Sequence, residues 1–186
     1  MIRLSISVVC YHSPLNHLQS LIGSLEISIK YLRRHYELPV IPVFIIDNSD
    51  EINVSSELCS FENRGLEALK VELRRIAGHG NIGYGRAHNL TLQEIDSDYH
   101  LILNPDVAFE EDALFLALAQ MTQNKEIKAL SPNTTDSYGN KQHLCKSYPS
   151  VLTLLIRGLG LAALQKLFSE RLFFYENRDL PEDKPT

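Results

Sequence analysis

The fold follows from residues 40–50, VIPVFIIDNSD, where an almost uninterrupted apolar run stops at a polar turn. The apolar and β-branched residues of this run predict a buried β-strand over 40–46. A strand that is apolar on both faces is typical of a parallel sheet covered by helices on both sides. The stretch therefore predicts an α/β domain in which acidic and amide side chains follow the carboxyl end of a central strand.

The segments on either side repeat this alternation of strands and helices. Residues 4–10, LSISVVC, predict a second buried strand. Pro14 opens a helical pattern with an apolar face formed by Leu15, Leu18, Leu21, Ile22, Leu25, Ile29 and Leu32. The later pattern predicts strands at 70–76, 99–103 and near 127–131, helices at 85–96, 110–123 and 150–172, and a hairpin over 133–146. We therefore predict a mostly parallel sheet flanked by helices, with a β-hairpin and a C-terminal helix.

Composition narrows the class of protein further. The chain has 186 residues, a formal net charge of −5 and a pI of about 5.8, which disfavours a general nucleic-acid binder. Its three cysteines, Cys10, Cys59 and Cys145, are too few and too scattered for a disulfide framework or a zinc site. The N-terminus lacks the pattern of a signal peptide, and no apolar run reaches the length of a transmembrane helix. We expect a cytoplasmic protein without a nucleic-acid partner.

The glycine-rich stretch 77–89, AGHGNIGYGRAHN, contains the spacing G-x-G-x-x-G of dinucleotide-binding loops. That fingerprint belongs between the first strand and the first helix, whereas these glycines follow the third predicted strand. An NAD-binding enzyme of the Rossmann class therefore remains only an alternative. The glycines also suit a flexible turn, or a loop whose backbone N–H groups approach a phosphate closely.

Polar residues follow the other predicted strands too. Tyr11, His12 and Ser13 come after the first strand, and Asn104-Pro105-Asp106 after the strand at 99–103. Because the carboxyl ends of parallel strands meet at one edge of the sheet, we expect these residues to converge there with the glycine-rich stretch. Asp106 offers a hard oxygen ligand for a divalent cation.

The order of these motifs, SISVVCYHS, FIIDNSD, GNIGYGRAHN and YHLILNPDV, resembles family 2 glycosyltransferases with the GT-A fold. The resemblance is strongest to rhamnosyltransferase-like members, which build O-antigen and related polysaccharides of bacteria. It runs from about residue 4 to residue 157 and includes the later stretch SPNTTDSYGNKQHLCKSYPS.

The resemblance implies a fold, an activity and a set of site residues. The fold is GT-A, which is Rossmann-like. The activity is metal-assisted, inverting transfer of a sugar, such as rhamnose, from a dTDP- or UDP-linked donor to a polysaccharide or lipid-linked acceptor. Asp106 matches the metal ligand for Mg²⁺ or Mn²⁺, with Asn104 in place of the first acid of the family's D-x-D motif. The implied donor-binding residues are Tyr11, Ser13, Asp47, Asn81, Gly83, Asn89, Asn104 and Lys146.

The resemblance also predicts a functional division of the chain. Residues 1–150 correspond to the donor-binding domain, and residues 151–186 to an apolar helix and charged tail that begin a truncated acceptor part. The family's catalytic general base has no match, because we expect the acids of the tail to be solvated: Glu176, Asp179, Glu182 and Asp183. A non-catalytic nucleotide-sugar-binding module, or an inactive truncated fragment, is therefore the alternative to an enzyme.

Residues 151–168, VLTLLIRGLGLAALQKLF, also bear on location. A very apolar helix that carries Arg157 and Lys166 can rest on an anionic membrane surface. We favour a core helix, or a helix left exposed by a missing C-terminal part, and contact with the cytoplasmic face of the inner membrane through 151–168 is the alternative.

Overall fold

A computed structural model describes residues 1–50, 63–136, 138–142, 146–159 and 166–177. The chain divides into two compact units, Met1–Ala119 and Gln120–Thr186. The functional division at residue 150 stays a prediction. Several residues named above lie outside the described residues: Cys59, Cys145, Asp179, Glu182 and Asp183.

The first unit is built on a four-stranded, fully parallel sheet, which confirms the predicted α/β class. The strands are β1 (Leu4–Cys10), β2 (Ile41–Asp47), β3 (Val71–Ile76) and β4 (Tyr99–Leu103). Their order across the sheet is β3-β2-β1-β4. This is the order of the first four strands of a Rossmann-type sheet.

The two faces of β1 differ in chemistry. Leu4, Ile6 and Val8 point into the main apolar core, as expected for a strand under a helix. The opposite face carries Ser5 and Ser7, which are fully buried although they are polar. Polar side chains in such a position must find hydrogen-bond partners inside the protein, and these partners are described below.

Helix α1 (Leu15–Leu32) covers the main core with the predicted apolar face. Its central residues Leu21, Leu25 and Ile29 are at most 1% exposed. Leu15 was also predicted to face inward, but 48% of it is exposed. It lies on the correct side of the helix but is the first helical residue, beyond the part of α1 that covers the core.

Two shorter helices follow in this unit. Helix α2 (Asn63–Ala68) precedes β3, and helix α3 (Tyr84–Asn89) follows the glycine-rich stretch. The predicted helix over 85–96 is therefore too long. After Asn89 the backbone tightens into turns in which the N–H of Thr91 bonds the carbonyl of His88, and the hydroxyl of Thr91 bonds the same carbonyl. Such side-chain bonding competes with continuation of a helix.

Helix α4 (Ala113–Gln123) confirms the helix predicted at 110–123, although it begins later. The acidic residues 110–112 form the turn before it, and the carbonyl of Asp112 accepts the N–H of Leu116. The strand predicted near 127–131 is wrong, because these residues form no strand in the structure. Instead, the N–H of Ile127 bonds the carbonyl of Asn124 in a turn.

The second unit contains the predicted hairpin, formed by β5 (Thr134–Thr135) and β6 (Lys141–Gln142). The Asp136 carboxylate accepts the N–H groups of Tyr138 and Asn140 and so closes the turn. Within the helix predicted over 150–172, the described residues include α5 (Val151–Leu159) and the start of α6 (Ser169–Tyr175). Within the described ranges, no helix has both the length and the hydropathy needed to cross a membrane.

Candidate functional site

The strand order places a crevice at the carboxyl ends of β1 and β4. From β1 the chain proceeds to β2 and β3 on one side, and it then returns to the other side of β1 to form β4. The loops after β1 and β4 therefore leave the sheet side by side at its carboxyl edge. In open α/β sheets, ligands bind where the strand order reverses in this way.

A pocket of about 500 Å³ lies at this position. Its volume is within the range of sites that hold small molecules and cofactors. Residues that follow three different strands line it: Tyr11, His12, Ser13, Pro14 and His17 after β1, Asn48 after β2, and Asn104, Pro105 and Asp106 after β4. Val9 of β1 itself also lines the pocket, with Asn81 and Tyr84 from the glycine-rich stretch.

Asn48 connects the end of β2 to the glycine-rich stretch. Its side-chain nitrogen donates to Oδ1 of Asn81 at 3.1 Å, and its Oδ1 accepts the N–H of Ile82 at 3.1 Å. Its own N–H donates to the carbonyl of Cys10 at 2.8 Å. Only 3% of Asn48 is exposed, so these bonds fix one side of the pocket from inside the protein.

Backbone conformation explains the glycine spacing. Gly78, Gly80 and Gly83 have φ values of +90°, +65° and +86°, a region that side chains with a Cβ rarely adopt. Each glycine of the G-x-G-x-x-G pattern is therefore required by a turn. Gly85 lies inside α3, outside this set of residues with positive φ.

This difference predicts opposite effects of two alanine substitutions. Gly83→Ala should lower the free energy of unfolding by about 1–3 kcal/mol, because alanine is strained at this φ. Gly85→Ala should raise it by about 0.5–1 kcal/mol, because alanine favours helix and no atom lies within 4 Å of the added Cβ. Urea unfolding measures both changes, and equal effects would contradict the described backbone.

Asp47 is buried at the end of β2, where the resemblance implies contact with the nucleotide base. Only 1% of it is exposed, and its Oδ2 lies 3.8 Å from Nη2 of Arg75. Its Oδ1 accepts the N–H of Ser49 at 3.3 Å.

Burial and, second, the charge of Asp47 raise the pKa of the Cys10 thiol to about 12. Cys10 is therefore a protonated core residue and not a nucleophile at neutral pH.

The structure brings together five of the residues predicted for the site. Those that line the pocket are Tyr11, Ser13, Asn81, Asn104 and Asp106. Asp47 is buried next to the lining residue Asn48 in the chain but does not line the pocket, and the N–H of Gly83 is held by Oδ1 of Asn81 at 3.0 Å. Asn89 is exposed at the end of α3, outside the pocket lining. Lys146 belongs to the second unit, where its Nζ lies 5.9 Å from the ring centre of Tyr175.

The pocket lining also contains residues to which the sequence assigned no binding role. Asn48, Tyr84, His12 and His17 line the pocket. Asn48 directly follows Asp47 in the sequence, and this position could have identified it as a residue of the site. His12 was harder to assign, because its φ of +46° is unusual for a residue with a side chain, and its N–H is held by the hydroxyl of Ser49.

A chain of hydrogen bonds is buried on the polar face of β1. The Ser7 hydroxyl lies 2.7 Å from Nδ1 of His88 and 2.8 Å from Nε2 of His100. The Ser5 hydroxyl lies 2.7 Å from Nδ1 of His100 and 2.7 Å from the hydroxyl of Ser97. These contacts connect α3, β1 and β4 and account for the two buried serines.

Both histidines of this hydrogen-bond chain, His88 and His100, resist protonation. Burial and, second, the nearby His100 lower the pKa of His88 from 6.5 to about 4, and burial also lowers the pKa of His100. At a pH between the unfolded and the folded pKa of His88, the unfolded polypeptide binds more protons at this residue than the folded protein does. The free energy of unfolding therefore falls as the pH falls.

We therefore predict that urea unfolding will show a loss of stability between pH 7 and pH 5. His88 alone should contribute roughly 2 kcal/mol of this loss. The variant His88→Phe lacks this titrating group and should lose correspondingly less between the two pH values. Identical losses for both proteins would show that His88 is not buried in its neutral form.

The fold and the pocket define an open-sheet α/β protein with a pocket at the switch point of its strands. No protein-family model matches the sequence, and no curated protein matches it. Solved structures with similar folds include three of Staphylococcus aureus TarS, of which one is TarS 1–349 and another is TarS 1–349 in complex with UDP. Their sequence identities to this chain are 16–18%, with TM-scores of 0.48–0.49.

The matches cover 66–67% of this chain and 20–33% of the TarS chains. The chain thus spans about a third or less of the length of the structures that it matches. Likeness at this level identifies neither a family nor an activity.

Proposed function

We propose that the first unit binds a nucleoside-diphosphate sugar and is the donor-binding part of a family 2 glycosyltransferase with the GT-A fold. The observation that carries this proposal is the pocket at the switch point, where Asp106 is the only carboxylate among the described lining residues. An open pocket that combines aromatic rings, amides and one carboxylate suits a ligand with a base, hydroxyl groups and a charged diphosphate.

Each group has a defined part in this proposal. Tyr11 and Ser13 line the part of the pocket that receives the base and the ribose. Asn81 and Asn48 present amide groups to ribose or diphosphate oxygens, and their mutual bond keeps both amides in one orientation. Asp106 and Asn104 receive the diphosphate end together with a divalent cation.

The residues present fit a cation that is shared with the ligand. Among the described residues there is no cluster of three or more His, Cys, Asp or Glu side chains that could hold a metal ion unaided. Asp106 supplies one hard oxygen, and Mg²⁺ is commonly held by one or two carboxylates together with substrate phosphates. When bound, such an ion neutralises the charge on the departing diphosphate.

The proposed reaction is inverting transfer of a sugar, with rhamnose as the proposed sugar and a polysaccharide or lipid-linked acceptor. The acceptor hydroxyl forms a bond to the anomeric carbon as the bond to the diphosphate breaks, and a base must take the hydroxyl proton. We assign no base among the described residues. A nucleotide-sugar-binding module without catalysis is therefore the second candidate function.

Ligand-induced stabilisation tests donor binding. UDP or dTDP with Mn²⁺ should stabilise the protein by about 2.7 kcal/mol at a ligand concentration of 100 Kd, whereas NAD should not stabilise it. Stabilisation by NAD alone would overturn the proposal in favour of a dinucleotide-binding protein. If nucleotide binding is observed, a transfer assay with dTDP-rhamnose and UDP-sugars then distinguishes an enzyme from a binding module.

We also propose that α5 contacts an anionic membrane surface. Among the side chains of α5 that the structure describes, five large apolar ones are exposed: Val151, Leu152, Leu154, Leu155 and Leu159. An apolar helix face of this kind binds lipid through buried area, with attraction of basic residues to anionic headgroups.

Liposome flotation tests this membrane proposal. The protein should float with anionic vesicles, and Leu155→Glu should reduce the floating fraction. Leu116→Glu in α4 is the matched control, since Leu116 and Leu155 are 56% and 55% exposed. Flotation that is unaffected by Leu155→Glu, or absent in the wild type, would reject contact through α5.

A further inference from the structure

One end of the buried hydrogen-bond chain is open. Nε2 of His88 is buried and has no hydrogen-bond partner among the described residues, whereas Nδ1 of the same ring bonds Ser7. At the other end, Ser97 is only partly buried, so water can complete its hydrogen bonding. The hydrogen-bond chain therefore extends from the protein surface at Ser97 to the His88 imidazole.

The number of hydrogens in this hydrogen-bond chain explains why it is rigid. Each link of the chain holds one hydrogen, and neutral imidazoles together with the serine hydroxyls supply one for every link. A second proton on His100 would turn both of its nitrogens into donors. The Ser7 hydroxyl would then have to accept from His100, and its own hydrogen could go only to His88. The hydroxyls of the neutral chain all donate in one direction, so the tautomers of the two rings are coupled, and the bonds hold both rings in one orientation.

The open end lies against a residue of the pocket. The rings of His88 and Tyr84 meet edge to face, with centroids 4.5 Å apart and an interplanar angle of 77°. They are four residues apart on α3, a spacing that places side chains on the same helix face. Tyr84 lines the pocket, whereas His88 does not.

Tyr84 also lies near the carboxylate of Asp106. Burial and, second, the charge of Asp106 raise the pKa of the Tyr84 phenol above its usual value. Tyr84 and Asp106 line the same pocket, so the phenol can donate a hydrogen bond to a ligand held there.

We propose that His88 is a positioning residue of the nucleotide site: the buried chain orients its imidazole, and the imidazole holds Tyr84 against the pocket. This inference rests on the proposed function, because it assigns Tyr84 a contact with the bound nucleotide. His88 acts only through Tyr84.

A double-mutant cycle in UDP binding tests this coupling, since a residue that acts through Tyr84 loses its effect when Tyr84 is removed. His88→Phe keeps an aromatic ring but breaks the bond to Ser7, and we expect it to weaken UDP binding about fivefold. In a Tyr84→Ala background the same change should alter the affinity less than about twofold. His35→Phe is the matched control, because His35 is exposed and stacks on Phe115, away from the pocket lining.

An equal loss of affinity in both backgrounds, or no loss in either, overturns the proposal. If His88→Phe does not fold, Ser7→Ala removes the same hydrogen bond without altering α3 and replaces it in the cycle.

Failure of UDP to bind the wild-type protein would overturn the proposed function and leave the coupling to be measured in the free protein. His88→Phe should then shift the NMR signals of the Tyr84 ring, whereas His35→Phe should not. Unshifted Tyr84 signals would overturn the positioning role independently of any ligand.

Discussion

Replacement of Asp106 by asparagine is expected to abolish the dependence of UDP binding on Mn²⁺. Asparagine keeps the size of the side chain but removes the only carboxylate among the described residues that line the pocket. A divalent cation that bridges the protein and a diphosphate then loses its charged protein ligand. We expect the affinity for UDP in the presence of Mn²⁺ to fall at least about tenfold, and the affinity in EDTA to change little.

Isothermal titration with UDP, with Mn²⁺ or with EDTA, measures both quantities. Asp112→Asn is the matched control, because Asp112 precedes α4 and does not line the pocket. The assignment of Asp106 fails if its variant retains the Mn²⁺ dependence of the wild type. It also fails if Asp112→Asn reduces that dependence equally.

The second large effect is expected for Asn48→Ala, which removes the connection between β2 and the glycine-rich stretch. The backbone N–H of Ile82 loses its acceptor, and Asn81 loses the donor that orients its amide. Loss of these two partly buried hydrogen bonds should lower the free energy of unfolding by about 1–3 kcal/mol. UDP binding should weaken by at least about tenfold, because both amides lose their places in the pocket.

Asn16→Ala serves as the control, since Asn16 is an exposed residue of α1 outside the pocket lining. Urea unfolding and UDP titration should separate the two variants clearly. Unchanged affinity in a folded Asn48→Ala protein would mean that the nucleotide does not use this side of the pocket.

Much of the sheet could be predicted from the sequence, because its strands are short apolar runs bounded by polar turns. Residues 99–103 form β4 as predicted, and the β2 prediction is shifted by a single residue. The polar strand ends also predicted the edge at which the pocket lies. The carboxyl ends of parallel strands lie at one edge of the sheet, so the position of these residues after their strands was sufficient to predict that they meet there.

The predictions that failed depend on particular hydrogen bonds, one local and one between distant residues. The helix predicted over 85–96 ends at Asn89, where the Thr91 hydroxyl bonds a backbone carbonyl. The spacing of apolar residues does not indicate that this side-chain hydrogen bond competes with continuation of the helix. The role of His88 was equally hidden, since its partner Ser7 is 81 residues away in the chain.

Paramagnetic broadening by Mn²⁺ tests the central claim most directly. In ¹⁵N spectra recorded with UDP, trace Mn²⁺ should broaden the amide signals of Asn104, Asp106 and residues 11–13 first, because the ion is held at Asp106 beside the diphosphate. Without UDP this selective broadening should be much weaker, since the protein alone supplies one carboxylate. Broadening centred elsewhere, or equally strong without UDP, would contradict a nucleoside-diphosphate site at this pocket.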